Sequence, residues 1–428
     1  MTTLQTFVQD GYEALLHYSR DVDVTLLHPH SRYRSMIVAR LFEQKPKQVF
    51  YYAMGPQDVN LSAFLFGFVH DMLEQQPQFG QHINQYSNRF DEIAFDELLE
   101  AFLADLAELS EQAFFLVLDE YDVSEHAQDV QSFLQQVLLH LPEHCRVIIN
   151  SRSLPRLPWV ALIARRKAAI LSDSRLVDHD PYQIEQTEHA IANLHVQCLG
   201  PGNIWKDDVR IESWEGHLPR LLLIFALERP VVTRSEICRA FWPNLDNDQA
   251  VNVFHVTKRR LHKALGFDAL VHQNGYYQIN PEANVTYDVM NFVGSLVHGR
   301  HAESSGDALA AWEQALDIYS GPFLQGHAED WIREQREAYQ AGYLEAAMAL
   351  ANARLQNGRH EQALRLLIHA GQENGDYEPI HQEIMKLYAQ LGRRSEVASH
   401  YQTLAENMQE RGLKPSEETH QLYNELMA

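Results

Sequence analysis

A cluster of basic side chains marks the middle of this 428-residue chain. Four cations fall within six residues of one predicted helix, namely Lys258, Arg259, Arg260 and Lys263. Arg and Lys donate hydrogen bonds to phosphates and to guanine edges, and Asn pairs with adenine. A helix that carries such side chains on one face and packs its other face on its own domain can bind in the major groove of DNA.

The predicted helix Asn247–Leu265 divides into two faces and ends at Gly266. Apolar positions recur at three- and four-residue steps and include Phe254, Thr257, Leu261, Ala264 and Leu265. The opposite face and its edges carry the candidate DNA-binding residues Asn252, His255, Lys258, Arg259, Arg260, His262 and Lys263. Periodicity alone equally allows the solvated basic face of an ordinary helix.

A hairpin follows this helix. Leu270–His272 and Tyr276–Ile279 flank the sequence Gln273-Asn274-Gly275, and Asn-Gly is a strong signal for a tight hairpin turn. The polar tip residues His272, Gln273 and Asn274 are therefore further candidates for contact with an adjacent groove or the DNA backbone.

The segments before the basic helix complete a winged helix-turn-helix between residues 192 and 287. Leu194–Leu199 and Asp208–Ile211 are strand candidates, and Leu218–Leu227 and Arg234–Phe241 are helix candidates. The second helix begins after Thr233, and Glu236 three residues later predicts a capping box.

A second group of residues could carry phosphate chemistry. The apolar strand Phe114–Leu118 ends in Asp119-Glu120. In phosphate-loop NTPases an Asp at this place holds magnesium, and a following Glu orients the attacking water. The phosphate loop itself is expected in Leu27–Ser35, after the strand Val24–Leu27.

That expected loop lacks the residues a phosphate loop needs. Leu27–Ser35 contains no glycine, although the backbone of such a loop takes conformations that favour glycine. Tyr33 stands where the second glycine of the motif is expected, and Arg34 replaces the lysine. Only Ser35 has the residue type that the motif requires at its position. We therefore regard Arg34, Ser35, Asp119 and Glu120 as a degenerate nucleotide site and expect no ATP or magnesium cofactor. Binding of another phosphate-bearing ligand by Arg32, Arg34 and the nearby histidines remains an alternative.

The first 188 residues alternate short apolar runs with helical periodicity. Predicted strands are Val24–Leu27, Val49–Tyr52, Phe114–Leu118 and Arg146–Asn150. Leu61–Leu73 and Val130–Leu141 have apolar residues at helical spacing. Such alternation predicts a parallel α/β sheet with helices on both faces.

The last part of the chain, residues 288–428, is predicted to be all helical. Asn357-Gly358-Arg359 and Leu391-Gly392-Arg393 recur 34 residues apart, a period typical of tetratricopeptide (TPR) repeats. The predicted helices are Asp307–Tyr319, Glu329–Asn357, His360–Gly371, Pro379–Leu391 and Ser395–Arg411. The fold class is thus a multidomain α/β + α protein with a degenerate P-loop-type sheet, a winged helix and a TPR-like helical repeat.

Composition sets further expectations. The net charge is −23, which opposes nucleic-acid binding in general, but Leu194–Tyr287 contains ten basic and ten acidic residues and is neutral. No apolar run approaches the roughly 20 residues needed to span a bilayer, and no signal-peptide pattern is visible, so we expect a cytoplasmic protein without a membrane partner. The three cysteines are widely spaced and suit buried positions.

Catalytic motifs of hydrolases and redox enzymes are missing from the sequence, so no enzyme activity is expected.

Two stretches resemble known bacterial families. The middle region is similar to the response-regulator type winged helix of the Streptomyces antibiotic regulatory protein (SARP) family, most specifically in Phe241-Trp242-Pro243, "KRRLHKALG" and Gly275-Tyr276. The region after Asp288 resembles the bacterial transcriptional activation domain (BTAD) of that family, in stretches such as "ALDIYSGPFLQGHAEDWIREQREAY" and "LGRRSEVASHYQTLAENM". Residues 22–171 resemble signal-transduction ATPases of the STAND class, in "FFLVLDEYD" and "CRVIINSRSLPRLPWVALIARRKAAI".

These resemblances imply a transcription regulator. The Asn252–Lys263 face would contact promoter DNA, and Lys258 departs from the family, which usually has an apolar residue there. The helical domain would bind RNA polymerase or another regulator and form a homodimer or higher oligomer, while the first domain would be a non-hydrolysing sensor or interaction module. Two alternatives remain at this point: an ATP-driven STAND-type switch, and an interaction scaffold that no longer binds DNA.

Overall fold

The computed structural model divides into two compact units, Met1–His195 with Ile204–Thr286, and Val196–Asn203 with Tyr287–Ala428. It describes residues 3–29, 31, 33–87, 89–171, 190–229, 231–273, 275–373 and 377–427. The division into three domains that the sequence predicts, with boundaries at 188, 192 and 287, stays a prediction. Position 188 lies outside the described residues.

The first unit begins with a five-stranded parallel sheet in the order β2-β3-β4-β1-β5. Its strands are β1 Val24–Leu27, β2 Val49–Ala53, β3 Phe114–Asp119, β4 Cys145–Asn150 and β5 Ala168–Leu171. Every residue of β1 is buried, as expected for a strand covered on both faces. The four predicted strands are therefore confirmed, and β5 is an addition that the apolar pattern did not predict.

Helices cover both faces of this sheet. They are α1 Thr3–Tyr18, α2 Arg34–Gln44, α3 Leu61–Gln75, α4 Phe95–Glu108, α5 Gln128–Leu139 and α6 Trp159–Ala164. Tyr51 packs against the core that α1 and α2 share with β1. The next residue, Tyr52, contacts Phe64 and Phe68 of α3, with ring centres 5.7 and 5.0 Å apart. Successive strand residues point to opposite faces, so these two helix groups lie on opposite sides.

The predicted winged helix-turn-helix follows in the same unit. Residues 196–203 and Tyr287, which include parts of its strands, belong to the second unit. Its elements are β6 Asn193–Gln197, β7 Asn203–Lys206, β8 Val209–Arg210, α7 Leu218–Leu227, α8 Arg234–Phe241, α9 Asn247–Leu265, β9 Leu270–Gln273, β10 Tyr276–Ile279 and β11 Asn284–Tyr287. Four of the strands form a sheet in the order β11-β6-β7-β8, and β9 pairs with β10. The three helices begin and end where the sequence predicts.

Local sequence signals explain the ends of these helices. The Thr233 hydroxyl accepts a hydrogen bond from the Glu236 amide, and the Glu236 carboxylate accepts one from the Thr233 amide, which confirms the capping box. Asp246 caps α9, and Gly266 ends it with φ +77°, a left-handed conformation that favours glycine. In the hairpin Tyr276 pairs with Gln273, so the two strands extend to both sides of the predicted Asn-Gly turn, of which Asn274 lies outside the described residues.

The second unit contains seven helices among its described residues. They are α10 Asp288–His301, α11 Ser305–Ile318, α12 Asp330–Gln356, α13 His360–Glu373, α14 Glu378–Gln390, α15 Arg394–Glu410 and α16 Glu417–Met427. Gly358 and Gly392, 34 residues apart, both have positive φ, of 70° and 72°. Each precedes an arginine whose backbone amide donates a hydrogen bond of 2.8 Å to the carbonyl oxygen five residues earlier. The two predicted turns thus share one geometry, while the assignment to the TPR class stays a prediction.

Two expectations from composition can be compared with the structure. All three cysteines are free thiols and buried, as their spacing predicted. Burial raises the pKa of Cys145 to about 12, so this thiol is unreactive at neutral pH. Among the described residues, every helix is too short or too polar to cross a membrane.

Candidate nucleic-acid interface

The packing of α9 fixes which of its side chains face solvent. Phe254, Leu261 and Leu265 are each at most 1% exposed. The Phe254 ring lies 5.0 Å from the ring of Tyr277 in the hairpin, which ties the helix to the wing. Because helical residues repeat every 3.6 positions, this buried stripe turns the opposite face outward.

The outward face of α9 carries the candidate DNA-binding residues. The exposed ones are Asn252, His255, Arg259, Arg260, His262 and Lys263. Val256, which the sequence analysis did not select, lies on the same face and is 45% exposed. An exposed valine beside polar donors can contact a thymine methyl group. The exposure of these side chains fits a groove-binding surface, and contact with DNA stays a prediction.

Two carboxylates, which the sequence analysis also missed, pair with cations of α9. Glu215 accepts from the Lys263 ammonium and lies 3.6 Å from Arg260. The hydrogen bond from Lys263 lowers the pKa of Glu215. Asp268 lies 3.8 Å from Lys258 and 3.1 Å from His262.

These pairs distinguish the cations of the helix from one another. Lys258 is half-buried at the edge of the face and directed toward Asp268. Arg259, in contrast, forms no ion pair with any residue that the structure describes. Arg259 therefore keeps its charge available to an external anion.

The wing lies beside α9. His272 and Gln273 are exposed at its tip, and Asn274, the third predicted tip residue, lies outside the described residues. The backbone of Tyr277 exchanges two hydrogen bonds with Val232, of 2.8 and 2.7 Å. This pairing fixes the base of the wing next to the start of α8.

In the stretch predicted to be a degenerate phosphate loop, one arginine bonds to the backbone of the stretch itself. Arg34 begins α2, and its guanidinium donates to the carbonyl oxygens of Pro29 and, at 2.8 Å, Ser31. Its Nε donates to the Asn150 side chain at 3.0 Å. A phosphate-binding loop directs backbone N–H groups inward, whereas here carbonyl oxygens converge on a cation.

The polar network continues to Asp119. The Asn150 amide donates to Asp119 at 2.8 Å, and the Tyr51 hydroxyl donates to the same carboxylate at 2.7 Å. Burial and this hydrogen bond raise the pKa of Tyr51. The structure thus brings Arg34 and Asp119 together through Asn150, with each side chain bonded to protein groups.

Of the other two residues of the predicted site, Glu120 joins this network through its backbone amide, which donates to the Asp119 carboxylate at 2.8 Å. Glu120 has a left-handed backbone, with φ +50°, and pairs with Arg152 at 3.1 Å. Ser35 is exposed on α2. In the part of the chain that the structure describes, no group of three or more His, Cys, Asp or Glu side chains is arranged to hold a metal ion.

Comparison with known families assigns the C-terminal third. Residues 287–427 match the family model of the bacterial transcriptional activator domain. This match confirms the resemblance predicted from the helical region. Residues 32–152 match the model described as Nephrocystin 3, N-terminal, and the STAND and degenerate P-loop assignments of this region stay predictions.

Individual relatives are distant. The regulatory protein AfsR of Streptomyces griseus is 24% identical over 242 residues, which is 55% of this chain and 24% of AfsR. This chain therefore matches about a quarter of that relative's length. A solved structure of Mycobacterium tuberculosis EmbR in complex with a low affinity phosphopeptide aligns with a TM-score of 0.44 and 20% identity, over 55% of this chain and 65% of EmbR.

Replacement of Arg34 tests its internal role. We expect Arg34→Ala to lower the free energy of unfolding of the α/β region by about 1–3 kcal/mol, because buried acceptors lose their donor. Arg40→Ala on the same helix, where Arg40 contacts Gln9 and Glu43 near the surface, should cost less than about 1 kcal/mol. Urea unfolding of the full chain measures both, and equal losses would contradict the assigned role.

Proposed function

We propose that this chain is a DNA-binding transcription regulator that contacts promoter DNA through α9 and the wing. The observation that carries the proposal is the exposed polar face of α9 beside a short polar hairpin, with Arg259 on that face in no ion pair with any described residue. A major groove about 12 Å wide admits one such helix, and the hairpin can contact the adjacent groove or backbone. The match of residues 287–427 to a bacterial transcriptional activator domain supports the regulatory role.

The helical unit supplies the output in this proposal. It binds RNA polymerase or another regulator, and it self-associates as a homodimer or higher oligomer. One small winged helix buries limited surface on DNA, so two copies on repeated half-sites would supply the needed affinity. The regulator acts in the cytoplasm, as the sequence predicts.

We further propose that the α/β region is a sensor or interaction module that does not hydrolyse nucleotides. The occupation of the degenerate loop by Arg34 supports this role, because a triphosphate would have to displace the hydrogen bonds of the guanidinium. Asp119 is engaged by Asn150 and Tyr51 rather than directed toward an open magnesium position.

Removal of cations from the outward face tests DNA binding. We expect Arg259→Ala to weaken binding to a selected duplex by about 1–3 kcal/mol, and Lys263→Ala to lower the slope of log affinity against log salt by about 1. Fluorescence anisotropy across a salt series measures both with the full chain. Arg333→Ala, at an exposed arginine of α12, removes the same charge and should leave affinity unchanged. A wild-type chain without salt-dependent affinity for any duplex would exclude the proposal and favour the scaffold function.

Neutralisation of Glu215 tests whether the internal ion pairs compete with DNA. We expect Glu215→Gln to raise DNA affinity about two- to threefold at low salt, because Arg260 and Lys263 then reach phosphates without losing a carboxylate partner. Glu212→Gln removes an equal charge from the same exposed loop, away from the described ion pairs, and serves as the matched control. Weaker binding by Glu215→Gln would show instead that Glu215 positions the two cations for DNA.

A further inference from the structure

One arginine of the α/β region lies buried against the winged helix. Arg156 follows β4 and is only 4% exposed. Its Nη2 donates to the Glu125 carbonyl at 2.9 Å, and its Nη1 lies 3.5 Å from the Glu236 carboxylate. The guanidinium carbon lies 5.4 Å from the ring centre of Tyr276, within the range of a cation–π contact.

The two distant partners belong to elements on either side of α9. Glu236 is in the first turn of α8, and Tyr276 begins β10 directly after the wing tip. A single side chain of the α/β region thus contacts both α8, which precedes α9, and the wing, which follows α9. We call the contacts of Arg156 with Glu236 and Tyr276 the Arg156 clamp.

The winged helix does not need the Arg156 clamp for its own fold. The Glu236 carboxylate already accepts 2.7 Å hydrogen bonds from the amide and the hydroxyl of Thr233. The wing is already paired to Val232 through the backbone of Tyr277. The clamp therefore joins two parts of the unit and does not shape the DNA-binding part.

Arg156 does not use all of its hydrogen-bond donors in the clamp. The Nε of Arg156 is buried without a hydrogen-bond partner among the described residues, and its ion pair with Glu236 is long. A buried donor without an acceptor offsets part of what the contact contributes. Opening this contact therefore costs less free energy than opening one in which every N–H of the arginine is hydrogen-bonded.

Charge gives this contact a consequence for DNA. Residues 1–171 contain 22 acidic and 13 basic residues, a net charge of −9, whereas the winged-helix segment is neutral. Asp119, Glu120 and Asp122 lie at or just after the carboxyl end of β3. The neighbouring parallel strand β4 ends at the same side of the sheet, and the loop that follows it contains Arg156. The outward face of α9 remains exposed in this arrangement, so the α/β region does not cover the helix, and its charge is the property that would act on DNA. Repulsion of this kind reaches about 10 Å at 0.1 M salt and farther at lower salt.

We propose that the Arg156 clamp holds the acidic α/β region against the winged helix and thereby lowers its affinity for DNA. Release of the clamp moves this negative charge away and raises affinity. The inference rests on the proposed DNA-binding function and adds an intramolecular interface that controls it.

The experiment compares Arg156→Ala with Arg152→Ala in the full chain. Both variants remove one positive charge from the same loop, but Arg152 pairs with Glu120 and Asp122 inside the α/β region. We expect Arg156→Ala to bind DNA about threefold or more tightly at about 50 mM salt, with the gain shrinking toward about 200 mM. Arg152→Ala should bind no more tightly than wild type.

A second measurement tests the interface without DNA. Hydroxyl-radical footprinting should oxidise Tyr276 faster in Arg156→Ala than in wild type or Arg152→Ala, because its ring loses the covering guanidinium. Unchanged Tyr276 reactivity, or faster oxidation with unchanged or weaker DNA binding, would overturn the inference. If all three proteins lack DNA affinity, the proposed function itself fails, and footprinting still reports whether the interface exists.

Should Arg156→Ala not fold, Arg156→Lys replaces it. Lysine keeps the charge but lacks the planar fork that reaches two partners at once. We expect an intermediate rise in both DNA affinity and Tyr276 reactivity, and wild-type behaviour in both would equally overturn the inference.

Discussion

The burial of one apolar stripe on α9 determines the orientation of everything around it. Phe254 and Leu261 pack into the winged helix and Phe254 meets Tyr277 of the wing, so the helix cannot rotate without exposing large apolar side chains. Exposure of a single buried Phe or Leu costs about 1.5–3 kcal/mol. The polar face is consequently held outward, and the wing tip is held next to it.

Electrostatics then separates the side chains that this packing exposes. Glu215 and Asp268 pair with the other cations of α9, whereas Arg259 has no such partner among the described residues. Exposed ion pairs are weak, about 0–1 kcal/mol each, so DNA phosphates can replace the carboxylates at a modest cost. In a chain with a net charge of −23, these internal pairs lower the positive charge that the face presents, while Arg259 keeps its own.

Local sequence signals predicted the helices and strands, but they could not predict contacts between residues far apart in the sequence. Thr233, Glu236, Gly266 and the Asn-Gly turn specify the ends of α8, α9 and the wing through contacts within a few residues, so these bounds followed from the sequence. The degenerate phosphate site inferred from the missing loop glycines stays a prediction. The bonding of Arg34 to Asn150, 116 residues away, and of Arg156 to Glu236, 80 residues away, depends on how the chain folds back on itself. Residue type and spacing carry no signal for such pairs without a structure.

The central claim is that the outward face of α9 reads base edges in the major groove. Selection from random-sequence duplexes by the full chain, with Asn252→Ala in parallel, tests it most directly. The account predicts that the wild type enriches a defined motif, and that Asn252→Ala still binds but loses base preference at one position, as expected when a base-reading side chain is removed. An unchanged motif in the variant, or no enriched motif in the wild type, would contradict the claim.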